Sequence, residues 1–406
     1  MKLKFNIEQA ITKTIKYLTA KVQYPKFKSL LQRKKHKQHN LTIVIGSFRM
    51  KGVILHGGYG TRLRPLTHTG PKQLIPVANK PISQHALEDL VEAGIHEITI
   101  VLGDTYPEKV KEHYGDGSRF NAKITYIYQG EPKGIAHAVN LCREFIGDIP
   151  FVVYLGDNLL KGGIKKYVNL FNNSSFDAMI LLCEVKEPQR FGVAEFDKNN
   201  RLIRLVEKPK IPPSNFALTG IYFFRPVIFE MIKELKPSWR GELEITDAIQ
   251  LLLSKGYNVG YDFVTGWWKD TGTPEDILEA NRLILDDLKP EVKGKVEDDS
   301  SIQGRISIGK DSVIKKGSLI RGPTIVGVST TIEKGVYIGP YTSIGNHIAI
   351  RRGEIENSII MDNCIIDIEE RIVDSLIAPD SKIISGDKNK PKGIRFVLGE
   401  KSQVEL

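Results

Sequence analysis

Strand-like and helix-like segments alternate along the chain from residue 51 to about residue 265. Apolar runs of strand length occupy residues 51–56, 97–103, 123–129 and 151–158. The intervening segments 82–94 and 135–147 repeat their apolar residues with the period of an amphipathic helix. This alternation predicts an α/β fold with a mostly parallel sheet and helices on both faces. In such sheets ligands bind beyond the carboxyl ends of the strands.

A different period begins after a helix that the sequence predicts from Thr273, with Pro274 in its first turn. Ten aliphatic residues then stand six apart without a break: Val296, Ile302, Ile308, Ile314, Ile320, Val326, Ile332, Ile338, Ile344 and Ile350. After a shift of register, the period resumes at Ile360, Ile366 and Ile372, and the repeat is expected to end near Ile384. A six-residue period with one aliphatic residue per repeat is typical of a parallel β-helix.

The net charge of +10 is concentrated at the N-terminus. Residues 1–49 contain twelve Lys or Arg and a single acid, Glu8, which leaves residues 50–406 with a net charge of −1. A nearly neutral body argues against nucleic acid as a partner. The basic segment is predicted to be a dispensable extension or the product of translation starting upstream of Met50. An arm that contacts RNA or an anionic surface is the functional alternative.

Composition indicates a soluble cytoplasmic protein. No apolar run approaches the roughly 20 residues that cross a bilayer, so no membrane partner is expected. The N-terminus also lacks the blocks of a secretory signal. Cys142, Cys183 and Cys364 share no metal-ligand spacing, and we expect them to be buried residues of a reducing compartment.

A glycine-rich segment, GGYGTR at 57–62, follows the first predicted strand directly. Glycines let backbone N–H groups approach phosphate oxygens closely. The segment lacks the GxxxxGK[ST] pattern of a P-loop, and Leu63 stands where the dinucleotide-binding pattern needs its third glycine. Arg62, Arg64 and Lys72 follow closely, and fixed cations beside a glycine loop suit a triphosphate.

The full segment, GGYGTRLRPLTHTGPKQLIPVANKP at 57–81, resembles the signature of glucose-1-phosphate thymidylyltransferases, a branch of the sugar nucleotidyltransferase superfamily. Further matching segments follow in the same order: YQGEPKGIAHA, YLGDN, FGVAEFD, EKP, TGIYFF, GELEITDA and WWKDTGTPED. The appended repeat resembles the long form of this family. The resemblance implies a Rossmann-like nucleotidyltransferase domain at 50–290 and a left-handed β-helix at 291–406, after the extension at 1–49.

The resemblance also implies roles for individual residues. Arg62 and Lys72 would be catalytic. Nucleotide contacts would come from Leu55, Gly57, Gly58, Gly60, Thr61, Gln129, Gly134 and Asp157, with Gln129 and Gly134 at the base. The sugar would contact Gly192, Glu207, Lys208 and Thr219. Asp157 and Asp270 would bind Mg²⁺, and two strand ends of one sheet were the expected means of bringing them together.

The implied reaction transfers a thymidylyl group from dTTP to α-D-glucose 1-phosphate and releases pyrophosphate. UTP is the nearest alternative to dTTP, because thymine and uracil differ by one methyl group. Acyl transfer in the β-helix, with His347 as its base, is a second alternative. A regulatory paralogue without catalytic activity is a third alternative. It is disfavoured because the four charged candidate residues are all present: Arg62, Lys72, Asp157 and Asp270. A homo-oligomer is expected.

Three residues depart from the family pattern. His56 stands where alanine is common, and we expect it beside the nucleotide loop, making a local hydrogen bond or touching the base or ribose. Tyr59 replaces a small residue within the loop. Phe191 replaces a tyrosine before Gly192 and leaves the hexose preference open.

Overall fold

The computed structural model describes residues 49–297, 302–385 and 399–405. The basic extension predicted at 1–49 lies outside the described residues except for Arg49. The first strands are β1 (Lys51–His56), β2 (Pro76–Val77), β3 (Lys80–Pro81), β4 (Glu97–Gly103), β5 (Lys123–Gly130) and β6 (Phe151–Leu155). The next are β7 (Asn158–Leu160), β8 (Ala178–Glu184), β9 (Gly192–Phe196), β10 (Leu202–Glu207), β11 (Phe216–Phe224), β12 (Val259–Phe263) and β13 (Trp268–Asp270).

Helices alternate with these strands over much of the chain. They are α1 (Ile82–Glu92), α2 (Pro107–Tyr114), α3 (Ile135–Leu141), α4 (Arg143–Ile146), α5 (Lys165–Asn172), α6 (Ile228–Glu234), α7 (Ile245–Ser254) and α8 (Pro274–Leu285). The helix predicted at 135–147 is divided into α3 and α4 at Cys142. The strand predicted at 151–158 ends earlier, at Leu155, because the chain turns before β7.

The central sheet has the order β10-β9-β11-β6-β1-β4-β5, with β8 paired to β11 and β12 paired to β8. Strands β6, β1, β4 and β5 are mutually parallel, as the alternation predicts. The other half is largely antiparallel, since β11 pairs antiparallel with β6, β8 and β9. The parallel half therefore brings the carboxyl ends of β1, β5 and β6 to one edge.

Two apolar cores lie on opposite faces of this sheet. Along β1, Val53 and Leu55 pack with residues of α3, α6 and α7. Ile54 points to the other face and packs with residues of α1, α2 and α5. This alternation along a strand is the consequence of the two-residue side-chain period. The prediction of helices on both faces is confirmed.

Helix α8 connects the α/β part to the repeat. Thr273 caps it, as predicted: the Thr273 hydroxyl accepts from the Asp276 amide, and the Asp276 carboxylate accepts from the Thr273 amide. Pro274 occupies the first turn, where its missing N–H costs no hydrogen bond. The fold changes after Leu285, where short parallel strands begin.

The repeat forms a parallel β-helix of the left-handed type, which confirms the predicted fold. Its strands are β14 (Glu291–Val292), β15 (Lys295–Val296), β16 (Ile302–Gln303), β17 (Ile306–Ile308), β18 (Val313–Ile314), β19 (Leu319–Arg321), β20 (Thr324–Val326) and β21 (Thr331–Ile332). They continue as β22 (Tyr337–Ile338), β23 (Thr342–Ile344), β24 (Ala349–Glu356), β25 (Ile359–Ile360), β26 (Ile365–Val373), β27 (Leu376–Ile377) and β28 (Lys382–Ile384).

Each turn of this helix comprises three six-residue sides. Ile308 pairs with Val326, and Val326 pairs with Ile344, eighteen residues apart in each case. The aliphatic residues from Ile308 to Ile350 are buried, as predicted. The register shift has a structural cause: β24 and β26 each run through a corner, and bulges interrupt their pairing between Ile350 and Glu354.

The β-helix shares an apolar core with the loop that follows β1. Leu63, Ile75 and Val77 from this loop belong to the same buried cluster as Ile359 and Met361 of the β-helix, and α8 completes the cluster. The β-helix therefore packs against the loop that carries Arg62 and Lys72.

A buried asparagine on α8 reinforces this junction. Asn281 Oδ1 accepts from the Ala78 amide at 2.9 Å and from the Ser343 hydroxyl at 2.6 Å. Its Nδ2 donates to the Tyr341 carbonyl at 2.9 Å. One side chain therefore connects the loop, α8 and the β-helix through three hydrogen bonds, which a buried amide requires.

None of the described helices is both long and apolar enough to span a bilayer. Cys142 and Cys364 are buried as expected, but Cys183 is only half-buried at the end of β8. The prediction that all three are buried is therefore wrong for Cys183. Division of the chain into domains at 50–290 and 291–406 stays a prediction.

Candidate active site

The glycine-rich segment forms a loop directly beyond the end of β1. Gly58 and Gly60 have φ of +88° and +61°, in the left-handed region that favours glycine. The Thr67 hydroxyl donates to the Gly60 carbonyl at 2.8 Å and fixes the far side of the loop. The loop therefore lies at the ligand-binding edge of the sheet, as predicted from its position after a strand.

Gln73 joins this loop to the segment that carries Lys72. Its side-chain Nε2 donates to the Gly57 carbonyl at 3.0 Å, and its own backbone carbonyl accepts from the Ser83 hydroxyl at 3.1 Å. The side chain is buried. Gln73 was not selected from the sequence, where only its place beside Lys72 in the signature could have suggested a role.

Lys72 and Asp157 form an ion pair beyond the carboxyl ends of the parallel strands. Asp157 lies in the turn after β6, where its Oδ1 accepts from Asn158 Nδ2 at 2.8 Å. Its backbone carbonyl accepts from the Thr271 hydroxyl at 2.7 Å. Burial alone would raise the pKa of Asp157, but the charge and hydrogen bond of Lys72 outweigh it and lower that pKa. Both groups are therefore charged at neutral pH.

Asp270 lies close to this pair. Burial, followed by the negative charge of Asp157, raises the pKa of Asp270 to about 6. The structure brings the two carboxylates together at strand ends, as predicted, but in a sheet other than the central one. Asp270 belongs to β13, which pairs with β7 in a two-stranded antiparallel ribbon separate from the central sheet, with Asp270 opposite Asn158.

Arg62, which belongs to the glycine-rich loop, also lies close to Asp270. A Cβ atom added to Gly272 would lie 3.2 Å from Arg62 Nη2 and 3.3 Å from Asp270 Oδ2. The Arg62 guanidinium and the Asp270 carboxylate thus both lie close to Gly272, where any side chain would crowd them. Two cations and two carboxylates from distant parts of the chain therefore converge.

The carboxylates suit a hard divalent cation. Asp157 and Asp270 share a buried site, where burial and then the negative charge of Asp157 raise the pKa of Asp270. Within residues 49–297, 302–385 and 399–405, no group of three or more His, Cys, Asp or Glu is arranged to hold a metal ion. Mg²⁺ commonly takes one or two carboxylates and completes its shell with water and phosphate oxygens. The residues present fit a magnesium ion held in part by substrate.

Gln129 and Gly134 also come together, beyond the end of β5. Gln129 Nε2 donates to the Gly134 carbonyl at 3.1 Å and approaches His137 Nδ1 at 3.3 Å. A Cβ atom on Gly57 would lie 3.3 Å from Gln129 Oε1, so the carbonyl of this amide borders the glycine-rich loop. The predicted base-contacting pair therefore adjoins the predicted phosphate loop.

Three of the four predicted sugar residues, Gly192, Glu207 and Lys208, lie in a second polar cluster. Gly192 on β9 pairs with Glu207 on β10. The Thr246 hydroxyl donates to Glu207 Oε2 at 2.6 Å, and Arg240 Nη1 lies 3.8 Å from Glu207 Oε1. Lys208 Nζ is 4.0 Å from the same carboxylate. Arg240 and Thr246 were not selected from the sequence, although both flank or belong to the GELEITDA segment.

Thr219 is the fourth predicted sugar residue. It is buried on β11, and its hydroxyl has no hydrogen-bond partner among the described residues. A Cβ atom on the next residue, Gly220, would lie 3.2 Å from Asn158 Oδ1. Trp268 Nε1 donates to the same oxygen at 2.7 Å, and the Phe191 ring packs edge-on against Trp268. Asn158, next to Asp157, therefore lies close to the residue that follows Thr219.

Not every predicted residue presents its side chain to this site. Leu55 is buried in the core, and only its backbone reaches the edge, where its carbonyl accepts from the Gly156 amide at 2.9 Å. Thr61 is exposed, and Tyr59 is half exposed within the loop. His347 is exposed at a corner of the β-helix, and its ring has no hydrogen-bond partner among the described residues. Acyl transfer at His347 stays a prediction.

His56 directly precedes the glycine-rich loop, as expected, and its side chain is buried. Its ring packs edge-on against Tyr114, and its Cδ2 faces Gly156. Neither ring nitrogen has a hydrogen-bond partner within the described residues, so the expected local hydrogen bond is wrong. Burial lowers the pKa of His56 to about 3, and the ring is neutral.

Comparisons with known proteins identify the family of the chain. Residues 51–287 match the nucleotidyl transferase family. The chain is 50% identical to a low-salt glycan biosynthesis nucleotidyltransferase, Agl11, of Haloferax volcanii, over 88% of this chain and 100% of that protein. It is 44% identical to a glucose-1-phosphate thymidylyltransferase of Streptomyces antibioticus, over 88% of this chain and 99% of that protein. A UDP-glucose pyrophosphorylase solved with UDP-glucose superposes with a TM-score of 0.53 at 28% identity, over 59% of this chain and 99% of that one.

Proposed function

This chain belongs to the nucleotidyl transferase family, and we propose that it transfers a thymidylyl group from dTTP to α-D-glucose 1-phosphate, yielding dTDP-glucose and pyrophosphate. One observation carries the proposal: Arg62, Lys72, Asp157 and Asp270 converge beside a glycine-rich loop at the edge of the sheet. Such a set of fixed charges suits the joining of two phosphate-bearing substrates, because both are anionic.

The reaction is a direct displacement at phosphorus. An oxygen of the sugar phosphate attacks the α-phosphorus, and the bond to the bridging β-phosphate oxygen breaks as pyrophosphate leaves. The attacking oxygen is already anionic at neutral pH, so no protein nucleophile or general base is required. Catalysis is then a matter of positioning and charge neutralisation.

Each of the charged residues and loop glycines would have a separate role in this reaction. Lys72 would contact the phosphate oxygens of both substrates and reduce their repulsion, and Arg62 would stabilise the departing pyrophosphate. The amides of Gly57, Gly58 and Gly60 would hold the triphosphate. A magnesium ion held by Asp157 and Asp270 would supply further neutralisation of phosphate charge.

The ion pair with Asp157 determines the position and the charge of Lys72. Its ammonium is paired with Asp157. In this pair the ammonium is charged, because its interactions with Asp157 and Asp270 outweigh the opposing effect of burial and raise its pKa. From this position Lys72 would contact the phosphate oxygens of the substrates.

Glu207, Lys208, Gly192 and Thr219 would contact the hexose. The unpartnered Thr219 hydroxyl supports this assignment, because a buried hydroxyl without a partner is costly unless a ligand satisfies it. Phe191, which packs on Trp268, presents no hydroxyl to the sugar. Homo-oligomerisation and a cytoplasmic location remain part of the proposal.

Uridylyl transfer is the alternative that the likeness to the UDP-glucose pyrophosphorylase favours. Rates with dTTP, dUTP and UTP separate the two, because dTTP and dUTP differ only in the methyl group. We expect dTTP to exceed dUTP in kcat/KM by about tenfold, and by no more than about 200-fold, since one methyl contributes ~1–3 kcal/mol. A higher kcat/KM for UTP than for dTTP would assign the enzyme to the uridylyl class.

A further inference from the structure

The orientation of the Gln129 amide is fixed by its partners. A backbone carbonyl can only accept a hydrogen bond, so the Gly134 carbonyl 3.1 Å away must face the NH₂ end of Gln129. The same nitrogen lies 3.3 Å from His137 Nδ1. An NH₂ group has two hydrogens, and these two partners use both. The amide oxygen is left as the group that Gln129 can offer to a ligand.

His137 is well placed to hold this arrangement. It lies in the first turn of α3, and the backbone on both sides of it is anchored. The Ala136 amide donates to the Leu243 carbonyl at 3.0 Å, and the Ala138 amide donates to the Gly134 carbonyl at 3.3 Å. Burial, followed by the charge of Lys133, lowers the pKa of His137. The neutral ring can therefore keep its proton on Nε2 and accept at Nδ1.

We propose that His137 is a positioning residue for base selection: by accepting the second N–H of Gln129, it leaves the amide oxygen alone to face the base. The inference rests on the proposed function, in which Gln129 contacts the base. His137 had no assigned role in the sequence, where it is one residue of the segment YQGEPKGIAHA.

A lone amide oxygen selects among pyrimidines by hydrogen-bond polarity. Thymine and uracil carry N–H at position 3 and can donate to it. Cytosine has an unprotonated nitrogen there, and its lone pair would face the amide oxygen without a hydrogen between them. Without the His137 acceptor, only the Gly134 carbonyl still holds the NH₂ end of Gln129, so a turn of the amide that brings an N–H to that nitrogen breaks one hydrogen bond instead of two. Loss of His137 should therefore relax discrimination against cytosine.

Two nucleotides isolate this effect. 5-Methyl-2′-deoxycytidine triphosphate keeps the methyl, sugar and phosphates of dTTP and differs only at positions 3 and 4 of the base. Calorimetric affinities of both with Mg²⁺, for the full chain and for His137→Phe, give the preference directly. His137→Phe keeps an aromatic ring and removes the acceptor. We expect the preference for dTTP to fall by about tenfold, the value of one hydrogen bond.

Further variants separate positioning from folding. His137→Gln retains an acceptor and should keep most of the preference. Leu141→Ala, at a partly exposed position on the same helix, should leave the preference unchanged. An unchanged preference in His137→Phe, or an equal loss in His137→Gln and His137→Phe, would overturn the inference. If His137→Phe does not fold, His137→Leu replaces it under the same criteria. Failure of the unmodified protein to bind or use dTTP would count against the proposed function instead.

Discussion

Replacing Lys72 with alanine should lower kcat by at least ~10²-fold, the usual cost of removing one preorganised electrostatic group. Lys72 forms the ion pair with Asp157 and is the cation that the loop and Gln73 hold at the centre of the site. Asp157→Ala should cost at least as much, because it also leaves the Lys72 charge without its buried partner. Initial rates of pyrophosphate release at saturating dTTP and glucose 1-phosphate measure both effects.

A matched lysine from the same segment serves as the control. Lys80 forms an ion pair with Glu88 at 2.5 Å on the surface, away from the two carboxylates. Lys80→Ala should change kcat by less than about threefold, in keeping with the small contribution of exposed pairs. Near-normal activity in Lys72→Ala would remove Lys72 from the mechanism. A comparable loss in Lys80→Ala would show that the segment responds to any loss of charge.

Gly134→Ala should impair both stability and nucleotide binding. A Cβ atom there would lie 2.3 Å from the Leu243 carbonyl oxygen, and Gly134 has φ of +99°. The obstructing atoms are backbone and cannot rotate away, so the loop must move and take the Gln129 contact with it. Overpacking of this kind typically costs about 1–3 kcal/mol. We expect the free energy of unfolding to fall by that amount and the KM for dTTP to rise by about tenfold or more.

Gly130→Ala separates steric crowding from backbone strain in the same loop. Gly130 also has a positive φ, +67°, but its added Cβ atom would meet nothing within 4 Å. This variant should therefore lose about 1 kcal/mol from strain alone and keep its KM for dTTP. Chemical denaturation and steady-state kinetics of the two variants provide the comparison. Equal behaviour of Gly130→Ala and Gly134→Ala would contradict the role given to the Leu243 contact.

Much of the fold was accessible from the sequence because local pattern determines it. The six-residue period could predict the β-helix, since a buried aliphatic at every sixth position is what stacks inside each flat side. The capped start of α8 followed from Thr273 and Pro274, whose effects are local. The antiparallel half of the sheet was missed, because pairing of β11 with β6, β8 and β9 joins distant segments whose apolar runs look alike.

The site shows the same division between local and distant effects. The glycine loop and its cations are contiguous, so their proximity follows from the chain itself. Asp157 and Asp270 were paired by resemblance, and the ribbon of β7 and β13 that unites them had no recognisable signal. The hydrogen bond expected for His56 does not form, because its side chain is buried and neither ring nitrogen meets a partner among the described residues.

The junction with the β-helix was also beyond sequence reasoning. Its apolar cluster combines Leu63 and Ile75 with Ile359 and Met361, nearly three hundred residues away in the chain. The six-residue period identifies the repeat but not the surface against which it packs. Its packing beneath the loop of Arg62 and Lys72, with Asn281 bonded to both sides, gives it a direct part in holding the site.

The most direct test of nucleotidyl transfer is pyrophosphate release that depends on both substrates. The purified full chain is incubated with dTTP, glucose 1-phosphate and Mg²⁺, with each component omitted in turn and with UTP, ATP and GTP in parallel. We predict one pyrophosphate per dTDP-glucose formed, no release without the sugar phosphate, and loss of release when a chelator removes the metal. Absence of pyrophosphate with every nucleotide and sugar 1-phosphate tried, from protein that is folded and loaded with Mg²⁺, would contradict the account.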